Sequence, residues 1–192
     1  MISVRRPSEA TIVRFLSEQV ELKLSYSDIG ATAGLPAKQY TVDHNRILLG
    51  HGAETFASAK LALHHWEHFQ LGWITPYYFE TTISEDKVVG VLAKTYGLWF
   101  LNACRIVYLV EEEGPTHRSG FAYGTLPDHA EAGEERFAIE WNQEDYSVWY
   151  DILAFSKPNK WYTKLCQPIV RKLQKQFASD SLTAMQNATR QK

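Results

Sequence analysis

The residues His64-His65-Trp66-Glu67-His68 satisfy H-x-x-E-H, a zinc-peptidase spacing. On a helix, two histidines four residues apart share a face and can hold one metal, with the glutamate beside it as base. Such a site needs a third protein ligand, and the sequence nominates none. The expectation is therefore a His-rich polar helix face and no metal. Two Asp–His neighbours invite an acid–base reading. Asp43 and His44 fall in a segment with strand character, where successive side chains point to opposite faces, so they cannot serve one pocket together. Asp128 and His129 follow Pro127, where a turn role is expected. Gly50-x-Gly52 precedes a helical segment but lacks the residues of a phosphate-binding fingerprint, and reads as a helix-entry turn. No cofactor signature is present.

The strands carry a more physical signal. Alternation groups Ile106, Tyr108 and Val110; Phe121, Tyr123 and Thr125; Phe137, Ile139 and Trp141; and Val148, Tyr150 and Ile152. If these faces look inward, Tyr108, Tyr123 and Tyr150 place hydroxyls in an apolar enclosure. A buried hydroxyl left unpaired costs roughly 1–3 kcal/mol, so each needs a partner. The same hydroxyls could bond one another or the backbone in a filled core. Arg105 and Asp151 fall on the opposite faces, where they could pair with each other, or Arg105 could steer an anionic head group. Trp99 and Asn102 are further candidates for a cavity mouth. The expected ligand-binding set is thus Tyr108, Tyr123, Tyr150, Trp141, Ile106, Ile139, Trp99, Asn102 and Arg105.

These side chains need elements to hold them. Residues 8–22 read as a helix capped by Ser8, with Ile12, Val13, Leu16 and Val20 at helical spacing. A connector over 23–39 contains Gly30, Gly34 and Pro36. A strand is expected at 40–49 and a helix from Glu54 to Phe69. Short segments rich in β-branched and aromatic residues follow near 73–79, 87–96, 99–112, 117–125, 134–141 and 146–155. Their short connections favour antiparallel neighbours. Residues 158–188 form a long helical segment in which Trp161, Leu165, Ile169, Leu173 and Phe177 recur every fourth position, a stripe meant for burial. Pro168 should start or kink this helix. The predicted fold is α+β: a curved antiparallel sheet of about seven strands closed by a long C-terminal helix. The 192 residues suit one domain, with 1–39 as N-terminal helix and connector and 40–188 as core.

Composition narrows the function classes. A formal net charge of -2 disfavours sequence-independent nucleic-acid binding, which needs a basic surface. No run of about 18 apolar residues exists to span a membrane, and no apolar stretch follows Arg5 and Arg6 to make a secretory signal. A cytoplasmic protein with Cys104 and Cys166 reduced is expected. Six Trp, ten Tyr and nine Phe fit either bulky strand cores or a pocket lining.

The segments Tyr26–Thr32 (YSDIGAT), Tyr40–Arg46 (YTVDHNR), Leu71–Trp73 (LGW) and Gly97–Tyr108 (GLWFLNACRIVY) form an ordered set of motifs. Gly120–Pro127 (GFAYGTLP), Gly133–Trp141 (GEERFAIEW), Ser147–Pro158 (SVWYDILAFSKP) and Pro168–Met185 (with FASDSL) continue it. Together they resemble the family catalogued as domain of unknown function 1990, over roughly residues 22–188. The resemblance implies no established activity and no catalytic residue. The family's element order is similar to the helix-grip (START-like, Bet v 1-like) superfamily of hydrophobic-ligand binders, an analogy of fold that does not fix function. The first expectation is a non-enzymatic binder of a small hydrophobic or amphipathic molecule held between sheet and C-terminal helix. A cyclase- or hydrolase-like enzyme using the same cavity is the alternative, and a membrane-associated or pore protein a third.

Overall fold

The computed structural model describes residues 1–34, 38–78 and 82–190. Pro36 of the expected connector, and Phe79 at the end of the strand expected over 73–79, lie outside the described residues. The chain runs β1 (Ile2–Ser3), α1 (Glu9–Gln19), a 3-10 turn (Ala31–Ala33), β2 (Thr41–His51), α2 (Gly52–His64) and a second 3-10 turn (Glu67–Phe69). It continues through β3 (Ile74–Tyr78), β4 (Val88–Thr95), β5 (Leu98–Glu112), β6 (Thr116–Thr125), β7 (Glu131–Asn142) and β8 (Ser147–Pro158), and ends in α3 (Trp161–Leu165) and α4 (Gln167–Arg190). The strands form one antiparallel sheet in the order β2-β8-β7-β6-β5-β4-β3, with β1 added beside β5. This is the α+β helix-grip arrangement, with a two-residue strand the sequence pattern does not announce.

Hairpin chemistry sets the register. At the β4–β5 turn Tyr96 and Gly97 have φ of 49° and 78°, the doubly left-handed pair that matches the twist of the flanking strands. Along β5, pairing with β6 shifts between Ile106 and Tyr108. The inserted residue is a β-bulge, which reverses the facing of everything beyond it.

Both faces of the sheet are covered. On the concave side, Ile106, Phe121, Phe137, Ile139, Val148, Tyr150 and Ile152 pack with Leu63 of α2, Trp66, Phe69 and Met185 of α4. On the convex side α1, whose Ser8 cap accepts from the Thr11 amide, inserts Ile12, Phe15 and Leu16 against Val88, Leu92, Leu101 and Leu126. Next to it the connector lays Tyr26 and Tyr40 over Phe155. The sequence reading gives the sheet a single cover; the structure sandwiches it between two.

The H-x-x-E-H motif does not form a helical pair. Helix α2 stops at His64, and Trp66 adopts φ 58°, which turns the chain before His68. His64 and His65 are exposed while His68 is fully buried. No metal-capable cluster occurs among the described residues. Pro168 sits in the first turn of α4, at the start of the main helix. Both thiols are free, Cys104 buried and Cys166 exposed. Among the described residues, no helix is long and apolar enough to cross a membrane.

Candidate functional site

Helix α4 does not lie flat on the sheet. Its C-terminal half is seated: Ala178, Ser181 and Met185 are buried, and the Ser181 hydroxyl bonds that of Tyr150 at 3.0 Å. Its N-terminal half stands off, leaving a cavity of about 920 Å³ between the helix and β2, β4, β5, β7 and β8. The apolar wall includes Phe69, Val91, Phe100, Leu173, Phe177 and Leu182. Polar clasps hold the helix across the opening. Arg171 donates two bonds to the Asp43 carboxylate, both 2.6 Å. Gln174 donates to the Ser156 hydroxyl at 3.1 Å, and the Trp73 indole N–H to Asp180 at 2.9 Å.

Several polar groups enter this apolar space, and two of them are buried carboxyls. Strand alternation puts Glu131, Gly133 and Glu135 of β7 in phase with Phe137, so both carboxyls lie on the concave face. The Tyr123 hydroxyl donates to Glu135 at 2.8 Å. Burial raises the Glu135 carboxyl to about 7; the Tyr123 bond opposes the rise and the charge of Asp43 adds to it. Glu131 is 8% exposed, and burial raises it too. One of its oxygens accepts from Ser156 at 3.2 Å, while the other, Oε1, is buried with no hydrogen-bond partner among the described residues. His129 lines the cavity with its Nδ1 accepting from the Glu131 amide at 3.0 Å; burial lowers it to about 4, so the ring is neutral. Asn45, on β2, and Asn102, on β5, add amides, and Gln174 and Lys175 of α4 also border the space.

The residues anticipated from sequence separate into three groups. Tyr123 and Asn102 line the cavity. Ile106, Ile139, Tyr150 and Trp141 occupy the concave face but belong to the filled core beneath α2 and the end of α4. Tyr108, Trp99 and Arg105 are on the convex side. The bulge at residue 107 turns Tyr108 away from Ile106, and its hydroxyl meets Thr32 Oγ1 at 2.7 Å. Trp99 packs with the α1 cluster under Arg6. Arg105 donates to the carbonyls of Gln19 and Val20, capping the end of α1, so it neither pairs with Asp151 nor reaches the cavity. Asp151 is paired instead with Arg136 at 3.0 Å and with His44. Asp43 and His44 do face opposite sides, toward Arg171 and Asp151 respectively. The turn residue Asp128 accepts from Gln19. The sequence reading missed Glu131 and Glu135. Their signal was two carboxylates sharing the parity of an apolar stripe.

A second carboxylate explains the convex motifs. Glu134 points away from the cavity core and accepts from the Tyr26 hydroxyl (2.6 Å), the Gly30 amide (2.8 Å), and both the amide (2.9 Å) and hydroxyl (2.5 Å) of Thr32. Gly124 leaves room for this: a Cβ there would lie 2.2 Å from the Tyr26 hydroxyl oxygen. The YSDIGAT, GFAYGTLP and GEERFAIEW segments therefore meet in one structural knot, not in a reactive site.

Comparison with known proteins agrees with this architecture. A UPF0548 protein of Dictyostelium discoideum is 35% identical over 206 residues, covering 98% of this chain and 95% of that one. The UPF0548 protein At2g17695 of Arabidopsis thaliana is 35% identical over 152 residues, 76% of this chain and 72% of its own. In three dimensions, a hypothetical protein of Helicobacter pylori superposes with a TM-score of 0.58 at 11% identity, over 81% of this chain and 92% of that one, which speaks to fold alone. The model of the family described as Domain of unknown function (DUF1990) matches residues 25–184, and with these relatives it establishes that the chain belongs to that family.

Proposed function

We propose that the protein binds a small amphipathic molecule in the cavity beneath α4. The observation that carries this reading is the cavity itself, at about 920 Å³. That lies within the roughly 300–1,000 Å³ of ordinary small-molecule sites, and the pattern of apolar walls with few convergent polar groups is theirs as well. The polar groups specify the ligand's other end. Glu135 and Glu131, whose Oε1 has no partner among the described residues, are acceptors when ionised. They favour an apolar body ending in a hydrogen-bond donor, a hydroxyl or basic nitrogen, over a fatty carboxylate. Native mass spectrometry of the purified chain tests this: a non-covalent adduct of a few hundred daltons, lost on substituting Ala93 and Ala154 by Phe, supports it. An adduct-free protein that also takes up no neutral apolar probe contradicts it.

A second reading rests on Glu135. A carboxyl titrating near neutral pH beside a tyrosine hydroxyl, inside a cavity, is suited to moving protons as general acid or base. Under this reading the bound molecule is converted by the wild-type chain and accumulates unconverted in Glu135→Gln. Recovery of the same unaltered molecule from both proteins would leave carriage as the function and exclude conversion.

A further inference from the structure

The C-terminal segment carries a charge asymmetry at the edge of the cavity. Between Ile152 and Ser179 stand Lys157, Lys160, Lys164, Arg171, Lys172 and Lys175, with no Asp or Glu, in a chain of net charge -2. Some of these cations are engaged: Arg171 with Asp43, Lys160 with Asp128 at 3.8 Å, and Lys157 over the Tyr40 ring. Lys164, Lys172 and Lys175 are exposed and have no ion-pair partner among the described residues.

Large apolar side chains sit among them. Trp161 is 77% exposed, Leu165 76% and Ile169 45%. These residues, expected from sequence to be buried, are exposed: Trp161 and Leu165 share a side of α3, and Ile169 follows in the first turn of α4. The later part of that stripe, Leu173 and Phe177, turns toward the cavity and core. Ile169 borders the cavity, and so does Tyr96 from the β4–β5 hairpin, itself 67% exposed. The patch therefore rims the cavity's mouth.

We propose that this rim docks on an anionic lipid surface, with Trp161 and Leu165 entering the interfacial layer and Lys164, Lys172 and Lys175 meeting acidic headgroups. Clustered exposed apolar residues mark an interaction surface. Trp is favoured at the boundary between headgroups and acyl chains. Flanking cations are drawn to negatively charged leaflets, and apolar contact plus basic charge together give peripheral attachment without a spanning helix. A second copy of the chain is a poor occupant, because a twofold contact would bring identical basic patches face to face. Docking here would set the cavity mouth against the bilayer, from which an amphipathic molecule could enter.

Vesicle flotation of the full chain tests the proposal and requires no cavity ligand, so its failure is distinct from failure of the ligand reading. Two vesicle types are used, phosphatidylcholine alone and phosphatidylcholine containing phosphatidylserine. The expected result is roughly tenfold or greater preference for the serine-lipid vesicles at low ionic strength, weakening as salt is raised. Trp161→Ser with Leu165→Ser should lose most of the binding, and Lys164→Glu with Lys172→Glu the preference for acidic lipid. These positions are exposed, and an unchanged thermal midpoint checks that the variants fold. Trp161→Phe should retain binding but lose part of the blue shift in tryptophan emission. Absence of vesicle binding, binding untouched by the Trp161/Leu165 pair, or a dimer in sedimentation that the same pair dissolves would each overturn the proposal.

Discussion

His68 is a histidine in a box of rings. Trp66 stacks on it, and Phe69, Phe121, Phe137 and Tyr150 surround it. Neither ring nitrogen has a hydrogen-bond partner among the described residues, and burial lowers it to about 3. The unfolded chain binds a proton here near pH 6.5, the folded chain only near 3. Its contribution is complete above pH 6.5 and is lost as pH falls toward 3. Glu135 works in the opposite sense. Its folded value is about 7 against 4.5 in the open chain, so stability present below 4.5 is lost as pH rises through 7. Urea unfolding across pH 3–8 should show both slopes, the acidic one flattened in His68→Leu and the neutral one in Glu135→Gln. At Glu134, which gathers four donors from the connector, Glu134→Gln should cost about 2–3 kcal/mol, because charge-assisted bonds are lost and buried donors are left poorly matched. Equilibrium denaturation reads that directly.

The elements explain what could be foreseen and what could not. Strand positions, the antiparallel order and the long last helix follow from alternation, turn residues and a four-residue stripe, all local signals. Tyr108 shows where local signals end. Strict alternation puts it beside Ile106, but the register of β5 against β6 shifts at residue 107, and such a bulge is set by the partner strand rather than by local sequence. The convex cover was equally hidden, since α1 and the connector reveal their place only through Glu134 and Gly124. Of the candidate site, Tyr123 and Asn102 were legible, whereas Glu131 lies outside the strand expected over 134–141, and nothing local marks Glu135 as buried. Strand pairing also depends on small residues. A Cβ at Gly120 would stand 2.1 Å from the Phe137 carbonyl oxygen, and one at Gly133 1.9 Å from that of Phe155. Gly120→Ala and Gly133→Ala should each lower stability by about 2–4 kcal/mol through strained pairing, seen as a fall in denaturation midpoint. Arg171→Ala should change stability by less, at most about 1 kcal/mol, yet release one clasp of α4 and speed ligand dissociation several-fold in stopped-flow measurements.

For the whole molecule, the two covers are unequal. On the convex side α1 and the connector pack against the sheet, and Glu134 gathers four donors from the connector, so that side gives rigidity. The concave side is closed only where α2 and the end of α4 meet it, and the sheet bends away from the start of α4 to leave about 920 Å³. The cavity is partly open to solvent, so its apolar walls stay in contact with water until an occupant removes them from it. A protein that keeps such a cavity gains from an occupant. Titration with a neutral, environment-sensitive apolar dye, followed by its fluorescence, measures that occupancy most directly. The account predicts saturable one-to-one uptake by the wild-type chain, weakened at least about tenfold when Ala93 and Ala154 are both replaced by Phe, with the denaturation midpoint unchanged or raised. Uptake that does not saturate, or that is the same in the filled variant, would contradict it.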